Sequence, residues 1–139
     1  MTKKQIYKFI KKINYNIPIR IIYIKNVNIE FIARAKYINQ VKPYIKKNKH
    51  LIIINVELLN ESDFFIKDTL LHEVGHFYND QTKQSMREYY AQLWSIKRSK
   101  ELKMFKIMRY SINEIMNWEF YNYPKIYKMA SKYFKNNWR

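Results

Sequence analysis

Cysteine is absent from this 139-residue chain, glycine occurs once, proline three times, and acidic residues number 11 against 27 lysines and arginines. Each shortage removes options. Without cysteine there is no disulfide, zinc ribbon, iron–sulfur cluster or thiol nucleophile, so any bound metal must be held by His, Asp or Glu. The same lack suits a reducing cytoplasm, which is the expected location. No window approaches the ~18 consecutive apolar residues of a spanning helix; the best runs are "IPIRIIYI" and "LIII". At the N-terminus Lys11, Lys12, Asn14 and Asn16 interrupt the apolar stretch that a signal peptide needs. The expectation is one soluble domain over residues 1–139, with no membrane contact and enough chain to bury an ordinary core.

The scarcity of acid leaves a formal charge of +16. A basic surface normally points to phosphate backbones or anionic membranes. Here six of the basic residues are arginine and the other 21 are lysine, while isoleucine, asparagine and tyrosine are also abundant. All of these have A- and T-rich codons, so much of the lysine reflects base composition. The first expectation is a solvated lysine surface that aids solubility, with weak nucleic-acid contact second.

No repeat, low-complexity tract or Gly/Ser/Pro-rich linker divides the chain. "TKKQIYKFIKKI" spaces Ile6, Phe9, Ile10 and Ile13 at helical intervals. Beyond Pro18, "IRIIYIK" has the β-branched density of a strand, "FIARAKYI" is a weaker candidate, and "HLIIINVELL" is the strongest, with a strand over 51–59. From Ser62 the period becomes helical. Ser62 is positioned to cap a helix to about Tyr78, and Ser85 a second to about Lys100; a third covers 103–117, and Pro124 opens a last one. Strands early and helices late predict an α+β domain, a small N-terminal sheet with a mostly helical C-terminal half.

The chain's one glycine lies inside "LHEVGHF", in the second of these helical stretches, where it costs ~1 kcal/mol relative to alanine. Around it His72, Glu73 and His76 form H-E-x-x-H. Residues four apart on a helix lie on one face about 6 Å apart, so two imidazoles can converge on one zinc ion. Glu73 is turned about 100° from His72, which puts its carboxylate beside the metal, placed to take a proton from an activated water and return it to a departing amine. Three histidines and eight glutamates would produce this pattern by accident only on the order of 0.004 times in such a chain.

On a helical wheel Ile66, Phe77, Leu70, Val74, Tyr78, Leu71 and Phe64 form a continuous apolar arc. His72, His76, Thr69 and Glu73 occupy the rest, with Phe65 as the one apolar intruder. Gly75 falls at the border between the two arcs. Its missing side chain lets a neighbouring segment come close enough to donate the remaining ligand.

A catalytic zinc needs a third protein ligand. Asp80 lies about 12 Å along the axis from His72 if the helix persists, too far to share an ion. Glu88, in "SMREYYAQLWSIKRS", has Ala91 and Ser95 on its side of the next helix, small residues that permit close approach. It competes with a bland role, since Ser85-x-x-Glu88 is also a capping box. Glu101, Glu114 and Glu119 remain as other donors. His50 is placed either to polarise a substrate carbonyl or simply to stand exposed. Tyr78, Tyr89, Tyr90 and Tyr110 are candidates for steadying an oxyanion, with nothing to choose between them, and Trp94, Trp118 and Trp138 read as core anchors.

"HEVGH" on a helix, followed by a short connection and a helix bearing "EYYAQLW", resembles the zincins with a glutamate third ligand, particularly the small ImmA/IrrE-type metallopeptidases and related phage or mobile-element peptidases. The likeness spans about residues 51–100. It implies a zincin-like fold, zinc bound by His72, His76 and Glu88, Glu73 as base, and cleavage of a protein substrate such as a repressor of a mobile element. Glycine at 79 and histidine at 82, which the metzincins would require, are replaced by Asn79 and Thr82, and only eleven residues separate His76 from Glu88, fewer than the ImmA group leads one to expect. The competing expectation is a non-catalytic, basic nucleic-acid-binding regulator on a degenerate zincin fold.

Overall fold

Thr2 begins the first helix, α1 (Lys3–Ile13), with a reciprocal cap: its hydroxyl accepts from Gln5 N at 3.1 Å and Gln5 Oε1 accepts from Thr2 N at 2.8 Å. The computed structural model describes residues 1–25, 33–36, 50–79, 84–122 and 124–137. Ile6, Phe9, Ile10 and Ile13 are all buried, as their spacing predicts, and at ~1.5–3 kcal/mol for each large apolar side chain they fasten the helix to the core.

Among the described residues three strands follow: β1 (Ile19–Ile24), β2 (Ala33–Lys36) and β3 (His50–Asn55). Their order in the sheet is β1-β3-β2, with β1 parallel to β3 from Ile19↔His50 to Ile24↔Asn55 and β2 antiparallel from Ala33↔Ile54 to Lys36↔Leu51. Leu51 and Ile52 point to opposite faces of β3 and both are buried, which suits a central strand. The third strand is shorter than the expected 51–59. Asn55 ends it, accepting from Glu57 N at 3.2 Å and starting a 3-10 turn over Val56–Asn60 with Leu58 fully buried.

Ser62 caps α2 (Asp63–Gly75) through a bond from Phe65 N at 3.2 Å. The helix tightens into a 3-10 turn at His76–Tyr78 instead of running on as α-helix to Tyr78. Ile66, Leu70, Leu71 and Val74 are fully buried and join α1, β3 and Phe77 in the main core. Phe64 departs from the predicted arc: it is 44% exposed and lies over Tyr110 with ring centroids 6.2 Å apart. In the first turn of α2 it faces α4, where Tyr110 lies. The intruder Phe65 is partly buried against that core.

The remaining helices are α3 (Gln84–Glu101), α4 (Phe105–Asn122) and α5 (Pro124–Asn137). Ser85 therefore sits inside the first turn of α3 and does not precede it. Helix α3 packs on α2, α4 on α3 and α5 on α4. Tyr89, Leu93, Ile96 and Ile115 form a second core, with Tyr133 and Phe134 of α5 against it. The fold is α+β, with the sheet early and the helices late. Among the described residues no helix is long and apolar enough to cross a membrane.

Candidate metal centre

Helices α2 and α3 touch through their backbones where Gly75 meets Ala91. A Cβ built on Gly75 would lie 2.5 Å from the Ala91 carbonyl oxygen and 3.1 Å from its Cα. Only glycine fits there, and its cost in helix propensity is outweighed by the approach it allows. Glu88 lies one turn before Ala91 on α3 and is thereby held against the motif face of α2. Ser95, the other small residue on α3, faces α4 instead, with its Oγ 3.5 Å from that of Ser111.

The His72 and His76 rings lie 4.8 Å apart, nearly perpendicular at 86°. Their Nε2 atoms both face the Glu88 carboxylate, His72 at 2.7 Å from Oε2 and His76 at 3.4 Å from Oε1. Glu73 completes the group: it and the two imidazoles bring one ligand atom each to within 4.8 Å of one another. The side chains of His72, His76 and Glu88 retain about a fifth of their exposure, so the group is sheltered but open to solvent. Both Glu88 oxygens are turned toward the imidazoles.

A buried polar chain fixes the His72 ring. Its Nδ1 lies 2.9 Å from Gln92 Oε1, and because that oxygen only accepts, Nδ1 carries the proton. Gln92 Nε2 then donates to Asp68 Oδ1 at 3.0 Å and to the Ser111 carbonyl at 3.1 Å, and Ser111 Oγ donates to the same Asp68 oxygen. The tautomer is thus set with Nε2 toward Glu88, the atom a metal would take.

Electrostatics follow the geometry. Burial alone would lower the His72 pKa, but the hydrogen bond to Glu88 and the charges of Glu73 and Glu88 outweigh it and raise it to about 9. Burial would raise that of Glu88, yet the bonds and charges of the two histidines hold it well below the usual carboxylate range.

A cleft of about 260 Å³ opens beside the pair, lined by Asp68, Thr69, His72, Glu88, Gln92, Glu114 and Ile115. Burial raises the Asp68 pKa despite the bonds from Ser111 and Gln92. Burial, and then the Asp68 charge, raise that of Glu114.

Other sequence candidates fall elsewhere. His50 starts β3 with its ring 4.7 Å from that of Phe77, and burial lowers its pKa. Tyr78 donates to Asn14 at 2.6 Å and accepts from Tyr15 N at 3.0 Å, which ties the motif helix to the end of α1. Trp94 stacks on Tyr78 at 5.0 Å, in its expected anchoring role. Tyr89 is buried with Tyr90 edge-on to it. Tyr110 is bonded to Glu114 of the cleft lining, with its pKa raised by burial and then by the Glu114 and Asp68 charges. Glu101 is engaged by Arg98 at 2.8 Å and Tyr15 Oη at 2.5 Å. Asp80, Trp138 and the side chains of Trp118 and Glu119 lie outside the described residues.

Asp68 and Gln92 stand beside the group without having been singled out from the sequence. Asp68 stands one turn before His72 on the same face, and Gln92 one turn after Glu88. Comparison with protein-family models, with curated proteins and with solved structures finds no match to this chain.

Proposed function

We propose that this chain is a zincin-like, zinc-dependent endopeptidase acting on a protein or peptide substrate. The observation that carries the reading is the convergence of two imidazole Nε2 atoms, four residues apart on α2 and the 3-10 turn that ends it, on a single carboxylate of α3, with Glu73 beside them. The donor set suits zinc, which takes nitrogen and carboxylate ligands in tetrahedral sites. Two atoms each 2.0–2.1 Å from a tetrahedral ion stand about 3.3 Å apart. The His76–Glu88 separation of 3.4 Å meets that value, and the 2.7 Å of His72–Glu88 reaches it with a small withdrawal of the carboxylate.

Bound there, zinc would supply Lewis acidity toward a scissile carbonyl and the attacking water. His72, His76 and Glu88 would hold it, with Gln92 orienting the first imidazole. Glu73 would take the proton from water and deliver it to the departing amine, as its place next to the histidines favours. An extended substrate chain needs a strand with a free edge. Strand β3 is central and has no free edge, whereas β2 pairs with β3 alone among the described residues and packs on α2. An extended substrate chain would therefore add to the outer edge of β2.

The test is zinc content by elemental analysis together with hydrolysis of a denatured-protein substrate, for the native chain, Glu73→Gln and Glu88→Gln. One zinc per chain is expected in the native protein and in Glu73→Gln, with hydrolysis lost in that variant, and zinc is expected to be lost in Glu88→Gln. Full activity in Glu73→Gln, or stoichiometric zinc with activity in Glu88→Gln, contradicts the assignment.

A further inference from the structure

We propose that the cleft beside the histidine pair is a subsite for a cationic group of the substrate: a lysine or arginine side chain next to the scissile bond, or the substrate's amino terminus. The proposal rests on the peptidase reading for what the substrate is, but its own basis is separate. In a chain of charge +16, three carboxylates and no lysine or arginine line this cleft. Glu88 is occupied by the histidines, which leaves Asp68 and Glu114 to line the space, Glu114 with a bond from the Tyr110 hydroxyl.

Asp68 is the central observation. It is nine-tenths buried, with 9% of its surface exposed. Its Oδ1 accepts from both Gln92 and Ser111, while Oδ2 has no hydrogen-bond partner among the described residues. Neither Asp68 nor Glu114 takes part in an ion pair among those residues. The His72 imidazolium offsets only part of the cost of burying Asp68, so that burial still prevails, and two carboxylates near one another add repulsion. Burial raises the pKa of both, and the Asp68 charge adds to the effect on Glu114. A cation between them relieves both terms.

Shape and position agree with this occupant. The cleft's volume, about 260 Å³, is a little below the ~300–1,000 Å³ of sites that take a drug-sized ligand. It admits an aminobutyl or guanidinopropyl chain, with Ile115 as an apolar wall for the methylenes and the carboxylates for the charged head. Asp68 stands four residues before His72, about 6 Å along α2. That is about two residues of extended chain, so a side chain flanking the reacting bond reaches it.

The experiment measures binding in the hydrolysis-blocked Glu73→Gln protein, with and without added zinc, by fluorescence anisotropy. The probes are acetylated, amidated hexapeptides that differ at one central position, carrying lysine, its uncharged analogue norleucine, or glutamate, together with an unacetylated norleucine peptide. The lysine peptide is expected to bind about tenfold or more tighter than acetylated norleucine, the scale of a charge-assisted hydrogen bond. That ratio should fall toward one in Asp68→Asn and in Glu114→Gln. Asparagine still accepts from Gln92 and Ser111, and Glu114 is exposed at the rim, so at least the second variant folds. A tenfold gain by the unacetylated norleucine peptide supports the subsite and identifies the cation as the amino terminus. Equal affinities, including no measurable binding by any probe, overturn the proposal, as does a lysine preference that survives both substitutions. Hydrolysis by the native chain, measured in parallel, separates the two readings: preferential binding without cleavage retains the subsite and removes the peptidase.

Discussion

Gly75 shows at the scale of one residue how a local cost serves a distant contact. Replacing it by alanine adds a methyl 2.5 Å from the Ala91 carbonyl oxygen, so the two helices must part. Overpacking of this kind costs about 1–3 kcal/mol, and against a backbone atom the upper end applies, more than the ~1 kcal/mol of helix propensity gained. Gly75→Ala is therefore expected to lower the thermal midpoint by several degrees and to weaken zinc binding, because Glu88 moves away with α3. A midpoint equal to or above that of the native chain would show that the approach is not required. The role of this glycine was legible in the sequence, since a residue used once in a glycine-poor chain stood between a core arc and a histidine arc. Gln92 and Asp68 were not. Gln92 acts across a helix interface, 20 positions from His72. The Asp68 signal, an acid one turn from a histidine, is ordinary on any exposed helix until its burial is known.

At the scale of elements, the link between α3 and α4 carries a testable strain. Lys103 adopts φ 58°, and the bonds Met104 N to Ser99 O at 2.8 Å and Lys103 N to Lys100 O at 3.0 Å close a Schellman turn around it. Glycine normally fills that position, because a side chain in the left-handed region costs roughly 1–2 kcal/mol. Lys103→Gly is expected to stabilise the chain by about 1 kcal/mol, read as a higher denaturant midpoint with an unchanged slope. A lower midpoint would contradict it. Helices were readable because their signals are local: the Thr2 and Ser62 caps, Pro124 at the start of α5, and the spacing of Ile6, Phe9, Ile10 and Ile13. The sheet was less so. Which strand is central depends on pairings between residues 15 to 31 apart, and nothing inside "HLIIINVELL" states that β1 and β2 flank it. Its early end at Asn55 depends on a side-chain bond to Glu57.

For the whole molecule, the His72–Glu88 pair links stability to pH in the metal-free state. The folded His72 pKa, about 9, is above its ordinary 6.5. Its contribution is therefore complete below about pH 6.5 and lost as pH rises toward 9. The Glu88 pKa is held below its ordinary 4.5, so its contribution is present above that value and lost as pH falls through the acid range. Thermal midpoints with a chelator should be highest between about pH 4.5 and 6.5 as far as this pair decides, and decline toward pH 9. Zinc should remove the alkaline decline, because the ion takes the place of the proton on His72 Nε2. A chelated protein whose midpoint climbs from pH 6.5 to 9 would contradict the pairing. At this scale charge is also segregated, with an excess of lysine in the chain and carboxylates in the cleft, which sets the site's preference apart from that of the surface.

The most direct test of the central claim is X-ray absorption at the zinc edge on the native chain loaded with one equivalent of the metal. The account predicts four nitrogen or oxygen neighbours at about 2.0–2.1 Å, with the outer-shell scattering of two imidazoles, and loss of one oxygen neighbour or of the zinc itself in Glu88→Gln. A spectrum without imidazole scattering, or one unchanged by Glu88→Gln, would contradict it.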